Sequence, residues 1–219
     1  MIETNNSISR IVFCDFDGTI TAEETLEGVF KRFTPDQFEP VKKKMMSLEL
    51  TIREGVRQLV ESIPSARYPE ILKYAKEVPI RPGFEQMLDF LDARGVPFVI
   101  VSGGLRGMVE ASLGKLVHRM HKIFAVDADT SGEFIKLKSD FEGDTELMAK
   151  VDVMNLFDAK QTIAIGDGAT DINMAQQADL VFARDTLAFF LDHMKTPYKR
   201  WSDFFDVKKE LEALWKNGI

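Results

Sequence analysis

Six residues have types and spacings that could do chemistry: Asp15, Asp17, Ser102, Lys150, Asp167 and Asp171. Asp15 and Asp17 stand two apart at the end of the apolar run Ile11-Val12-Phe13-Cys14, and Gly18-Thr19 follows them. Side chains on an extended strand repeat every second residue, so both carboxylates point the same way. Two like charges at one strand end repel unless a cation lies between them or one is protonated. A hard divalent metal asks for that arrangement, and so does covalent catalysis by a carboxylate. A plainer reading has Asp17 capping the next helix. That suffices for the pair alone, but not for its companions downstream.

Two further apolar runs end in the same manner. Val96 to Val101 runs into Ser102-Gly103-Gly104, and Gln161 to Ile165 runs into Gly166-Asp167-Gly168-Ala169-Thr170-Asp171. Either ending alone is an ordinary turn. Together with the first they describe a site for an anionic phosphate. Asp15 can attack phosphorus and split one hard displacement into two easier ones. Asp17 can protonate the leaving oxygen and then activate water, a role that needs a raised pKa. Mg²⁺ takes oxygen ligands, which Asp15, the backbone carbonyl of Asp17 and Asp167 can supply. Asp171 can bind directly, through water, or by orienting Asp167. Ser102 and the amides of Gly103 and Gly104 can hold phosphoryl oxygens at a strand-to-helix junction, with Gly18 and Thr19 adding donors. Lys150, on a helix expected over residues 145–157, is the cation best placed to neutralise the equatorial oxygens. Lys160 abuts a strand start, the wrong end of the sheet.

The elements that must bring these residues together are strands alternating with helices. Short apolar runs at 11–14, 96–101, 123–126, 161–165 and 180–183 read as buried strands, with 134–137 returning as a hairpin partner. Between the first and second runs lies a long helical stretch. Its apolar positions Leu26, Val29, Phe30 and Phe33, then Val56, Leu59, Val60 and Ile63, recur at helix spacing. Thr51 with Glu54 has the form of a capping box. So much helix exceeds one crossover and reads as a separate cap with its own core. The expected architecture is α/β: a Rossmann-like, mostly parallel sheet with helices on both faces, plus a small helical-bundle cap inserted after the first strand. The boundaries are 1–20 and 80–219 for the catalytic core and 21–79 for the cap. In open parallel sheets ligands sit at the carboxyl ends of strands. All three polar endings lie there.

The 219 residues can bury a real core, being 45% hydrophobic and 29% charged. A net charge of −7 leaves no basic face for nucleic acid. The one cysteine, Cys14, lies inside the first strand and reads as a small buried hydrophobe. The polar start, residues 1–10, shows no apolar leader, and no stretch approaches the ~20 apolar residues of a membrane span. A cytoplasmic protein is expected, with no nucleic acid and no membrane partner, as a monomer or homodimer. His118, His121 and His193 are scattered and form no metal set.

Asp15-Phe-Asp17-Gly-Thr19-Ile-Thr21, Val101-Ser102-Gly103-Gly104, Lys150 and Gly166-Asp167-Gly168-Ala-Thr-Asp171 together resemble the four motifs of the haloacid dehalogenase-like hydrolase superfamily. The helical insert resembles the cap of its phosphoserine phosphatase-like branch. Phe182-Ala183-Arg184-Asp185, the tail Trp201-x-Asp203-Phe204-Phe205 and Thr51-Ile-Arg53-Glu54-Gly55-Val56 are similar to a narrower group there, the phosphatases of methionine salvage. The Ala149 and Val151 flanks of Lys150 depart from that group. The branch implies a cap Glu and a cap Arg that read the substrate; Glu23 or Glu24, and Arg53 or Arg57, stand there. The resemblance thus implies a Mg²⁺-dependent phosphatase of a small phosphorylated metabolite acting through an aspartyl-phosphate. A phosphoserine phosphatase-like enzyme, a phosphotransferase, or a silent binding module on the same scaffold are the competing expectations. The silent module would have lost one of the chemical groups.

Overall fold

A computed structural model describes residues 8–216. Residues 1–7, most of the start read as carrying no leader, lie outside them. Seven strands form one sheet: β1 (Ile11–Cys14), β2 (Phe98–Leu105), β3 (Lys122–Asp129), β4 (Lys136–Lys138), β5 (Thr162–Gly166), β6 (Leu180–Ala183) and β7 (Lys199–Arg200). Their order is β4-β3-β2-β1-β5-β6-β7, parallel throughout except for β4, the antiparallel hairpin partner of β3. β1 is central because all four of its side chains are apolar and fully buried, which suits a strand covered on both faces.

Alternation along the strands divides the core. Val12, Cys14, Ile100 and Ile165 face α5 (Phe84–Asp92) and α10 (Phe204–Lys216). Ile11, Phe13, Val99 and Val101 face α7 (Lys150–Met154) and α8 (Ile172–Gln177). The tail docks on the first of these faces: Phe84 meets Phe204 at 5.0 Å between ring centroids, and Phe90 stacks on Trp215 at 5.2 Å. The remaining core-side helices are α6 (Arg106–Leu113) and α9 (Asp185–Met194).

The insert holds four α-helices, α1 (Thr25–Phe33), α2 (Pro35–Met46), α3 (Ile52–Val60) and α4 (Tyr68–Glu77). Pro35 occupies the first turn of α2, where its missing N–H costs nothing. The Thr51–Glu54 capping box at α3 is formed from both sides. The cap core is not self-contained. Val29, Phe38, Val56 and Leu59 share one cluster with Leu105, Val126, Leu137 and Leu147 of the main body. The two chain passages are paired at Thr21 and Ile80, with Ala22 N–H donating to Pro79 O at 2.8 Å.

Two elements differ from the expected ones. β2 does not stop at Val101. It runs through Ser102, Gly103 and Gly104 to Leu105, with a register shift between Val101 and Leu105, so the strand ends four residues later than expected. The irregularity lets Leu105 pair with Val126 after the polar residues have turned toward the strand tips. The helix expected over 145–157 shrinks to Lys150–Met154. Leu147 and Met148 are both buried but belong to different clusters, one with the cap and one with the sheet. Adjacent residues facing opposite ways suit extended backbone, not a helix. Leu156, expected on the helix's apolar face, is 57% exposed. Strand β7 gave no apolar signal because Lys199 and Arg200 form an exposed edge.

Candidate active site

The register brings the three polar strand endings to one place. Cys14 pairs with Ile100 on one side and Ile165 on the other, so Asp15 emerges between Ser102 and Asp167. Lys150, the first residue of α7, reaches in from beneath and donates to Asp15 Oδ1 at 2.5 Å and Asp171 Oδ1 at 2.6 Å. Asp15, Asp167 and Asp171 each offer a carboxylate oxygen, and these lie within 4.8 Å of one another. Asp171 Oδ2 accepts the N–H groups of Asp167 and Gly168, both at 3.0 Å. Thr19, fully buried, donates its hydroxyl to Asp167 Oδ1. Asp17 stands apart from these three: its Oδ1 accepts the N–H of Thr25 at 3.1 Å, the first residue of α1. Ser102 Oγ accepts the N–H of Gly104 at 3.0 Å.

Three close-packed carboxylates against one ammonium leave a surplus of negative charge in a buried space. Burial, then the Asp171 charge, pushes Asp15 well above the usual carboxylate range. Burial and Asp171 also raise Asp167, to about 6. Burial raises Asp17, against the hydrogen bonds from Thr25 and Leu26. Glu24 lies at the rim, where burial and the charges of Asp167 and Asp17 carry it to about 8. Burial opposes the charge on Lys150, yet Asp15 and Asp171 overcome it and hold the ammonium well above its ordinary value.

A consequence for stability follows with a definite sign. Asp167 and Glu24 release protons at higher pH when folded than when unfolded, so the folded state binds more protons in the window between. Stability therefore falls as pH rises through that window. In a chelator-containing buffer the Tm should decline from about pH 5 to about pH 8, and a divalent cation should flatten the slope. Scanning fluorimetry across that range, with and without Mg²⁺, measures both; a Tm rising with pH in chelator would contradict this electrostatic account.

Backbone approaches as close as these exclude side chains. A Cβ added to Gly18, whose φ is +72°, would lie 2.5 Å from Asp167 Oδ2. One added to Gly166 would meet Asp171 Oδ2 at 2.5 Å, and one added to Gly104 would meet Asp17 Oδ2 at 2.6 Å. Behind the first loop, buried Arg81 donates to the carbonyls of Thr19, at 2.8 Å, of Gly18 and of Thr21. Above the carboxylates is a cavity of about 160 Å³. Its floor is Asp15, Asp17, Ser102, Gly103, Gly104 and Asp167, and its roof is Leu26, Ile52 and Val56 of the cap.

A family model described as haloacid dehalogenase-like hydrolase matches residues 12–176. The chain belongs to that family. A relative from Microcystis aeruginosa (strain NIES-843), named 2-hydroxy-3-keto-5-methylthiopentenyl-1-phosphate phosphatase, is 48% identical over 93% of this chain and 98% of its own length. A protein of the same name from Bacillus cereus (strain AH820) is 35% identical, covering 93% and 96%. Among solved structures, a substrate-bound phosphoserine phosphatase complex superposes with a TM-score of 0.70 at 19% identity, covering 92% of this chain and 98% of that one. A phospho-aspartyl intermediate analogue of phosphoserine phosphatase gives 0.67 at 20% identity, covering 94% and 99%. At such identities these two speak for the fold alone.

As a haloacid dehalogenase-like hydrolase, the chain brings most of its sequence-predicted residues to one cavity. Asp15, Asp17, Ser102, Gly103, Gly104, Asp167 and Glu24 line it, with Lys150, Asp171, Gly18 and Thr19 directly behind. Two placements differ in kind from the expectation. Thr19 gives its hydroxyl to Asp167, so that side chain orients a carboxylate rather than receiving phosphate. The Asp17 carboxylate stands outside the three-carboxylate cluster, and the expected metal contact there is its backbone carbonyl, so this placement is no departure. Arg53 does not line the cavity: its guanidinium donates to Gly143 O at 3.1 Å. Sequence reasoning missed Arg81, whose flanking Pro82 and Gly83 signal only a turn. It placed Leu26 and Val56 in the cap core, where they do pack, but not over the cavity that both also line, because an apolar roof and an apolar core have the same periodicity. Among the described residues no helix is long and apolar enough to cross a membrane.

Proposed function

We propose that this haloacid dehalogenase-like hydrolase is a Mg²⁺-dependent phosphatase of a small phosphorylated metabolite. Its substrate in this reading is the compound that names its relatives, 2-hydroxy-3-keto-5-methylthiopentenyl-1-phosphate. Residues 1–20 and 80–219 form the catalytic core and 21–79 the cap. The observation that carries the reading is the fully buried ammonium of Lys150 on Asp15 Oδ1, behind the floor of a cavity lined by carboxylates and backbone.

In the first step a carboxylate oxygen of Asp15 attacks phosphorus and the ester P–O bond breaks. The Asp17 carboxyl, raised by burial and therefore able to carry a proton, gives it to the leaving oxygen. In the second step Asp17, now a carboxylate, takes a proton from water as that oxygen attacks phosphorus. The acyl-phosphate P–O bond breaks, and Asp15 and inorganic phosphate are released. Ser102, the amides beyond it and Lys150 hold the phosphoryl oxygens through both steps.

The surplus charge of the three-carboxylate cluster fits a divalent cation. Asp15 and Asp167, with the Asp17 carbonyl, would hold it, and Asp171 would orient Asp167 and Lys150. When bound, Mg²⁺ supplies neutralisation of charge on the phosphoryl oxygens.

The roof favours an apolar group on the substrate. Leu26, Ile52 and Val56 offer dispersion contact to a methylthio end but no partner for the carboxylate of phosphoserine. Glu24 is the one roof-side group suited to an ammonium, and it keeps the phosphoserine phosphatase-like reading as the rival. Comparing kcat/KM over a panel of phosphorylated metabolites decides between them. The methylthiopentenyl enol phosphate should exceed phosphoserine by about 100-fold, since an unpaired buried carboxylate costs several kcal/mol. A preference for phosphoserine would overturn the substrate assignment, and no turnover on any phosphate would overturn the phosphatase itself.

A further inference from the structure

The cap helix α3 carries two arginines that turn away from the cavity, toward the chain just ahead of Lys150. Arg57 Nη1 donates to Leu137 O at 3.1 Å and to Glu61 Oε1 at 2.8 Å, while its Nη2 donates to Glu142 Oε2 at 2.7 Å. Arg53 donates its guanidinium to Gly143 O at 3.1 Å and its backbone N–H to Thr145 O at 2.9 Å. The segment they grip, residues 139–149, belongs to no strand or helix and leads directly into α7. Its own links are few: Gly143 N–H to Glu146 O at 2.9 Å, Ala149 N–H to Phe141 O at 2.7 Å and Phe141 N–H to Ser139 Oγ at 3.3 Å. Leu147 is buried in the cap cluster and Met148 in the sheet cluster, so the segment is the seam between the two bodies. Lys150 follows two residues later, 1% exposed, on Asp15 and Asp171.

We infer that Arg53 and Arg57 are positioning residues: through segment 139–149 they hold Lys150 against Asp15, so docking of α3 completes the reaction centre. The inference rests on the role given to Lys150 under the proposed function. It gives the cap a second task beside roofing the substrate. A segment without a ladder of its own takes its geometry from what clamps it, and a displacement near 1 Å at a charge-stabilising group costs about 100-fold in rate. The competing assignment, in which a cap arginine reads the substrate directly, predicts a different kinetic signature.

The test uses the full chain with Mg²⁺ in two arms. The first measures kcat and KM on an aryl phosphate for Arg57→Ala, Arg53→Ala, Arg57→Lys and a control, Arg67→Ala, whose exposed pair with Glu70 stays within the cap. Arg57→Ala and Arg53→Ala should lose about 10- to 100-fold in kcat with KM within about 2-fold. Arg57→Lys should recover part of that loss, because an ammonium keeps the charge but cannot bridge all three acceptors. Arg67→Ala should match the wild type. The second arm follows acetylation of the Lys150 amine by mass spectrometry and needs no turnover. The wild type should be protected, and Arg57→Ala should label at least about 10-fold faster. A rise in KM with kcat unchanged overturns the inference in favour of substrate reading. Unchanged kcat, or a fallen kcat beside an unchanged labelling rate, overturns it outright. If the wild type turns over no phosphate, the proposed function fails, while the labelling arm still decides whether the arginines position Lys150.

Discussion

Asp15→Asn abolishes phosphate release, lowering kcat by about 10⁴-fold or more, and leaves the folded protein at least as stable as the wild type. An amide of the same shape fills the same space, so packing is kept. It has no anionic oxygen to attack phosphorus, so the covalent route closes. The stability half follows from the electrostatics. Asp15 is buried, and burial with the nearby Asp171 disfavours its charge. Removing that charge relieves the cluster, and Lys150 keeps its other partner, Asp171, at 2.6 Å. In chelator the Tm of the variant should equal or exceed that of the wild type by a few degrees, while Mg²⁺ should raise it less. Single-turnover phosphate release and calorimetry read the two halves separately. Wild-type turnover in the variant would remove Asp15 as the nucleophile.

Lys150→Met should damage both the fold and the chemistry. The wild-type ammonium is enclosed, with carboxylates of Asp15 and Asp171 on either side. Removing it leaves three buried carboxylates without a countercharge, and breaking a buried pair from one side costs about 3–5 kcal/mol. For a chain of this size that is a fall in Tm of roughly 6–20 °C in chelator. The deficit should grow with pH, since the carboxylates left behind resist ionising in the folded state. Mg²⁺ should restore part of it by replacing the missing positive charge. Activity should fall by about 10²- to 10³-fold even with the ion present, because phosphoryl oxygens lose a preorganised cation. Lys150→Arg should not rescue: a guanidinium is wider, and the site is closed on all sides. A Tm within 2 °C of the wild type in chelator would show that the ammonium does not balance the cluster. Denaturation curves at several pH values, paired with steady-state rates, give the measurement.

Much of the scaffold was legible in the chain itself. Ile11 to Cys14, Val99 to Val101 and Ile163 to Ile165 are uninterrupted apolar runs, and such runs are stable only between two layers of helix. Each runs into residues that resist burial unless something holds them. The capping box at Thr51 and the proline at the start of α2 were equally plain, because caps are local chemistry. Where alternation competed with helical spacing, the local signal failed. Leu147, Val151 and Met154 have helix-like spacing, but the cap and the sheet pull on adjacent residues from opposite sides.

The sequence by itself therefore determined the kinds of group present and the strand tips that carry them, since strand period and burial follow from residue type over a few positions. Tertiary structure alone decided what each group faces. Thr19 turned to Asp167, Arg53 and Arg57 turned to the segment before Lys150, and Leu26 and Val56 became a roof. Those outcomes depend on contacts between residues tens of positions apart, which charge and exclude one another only once the cap has packed against the sheet.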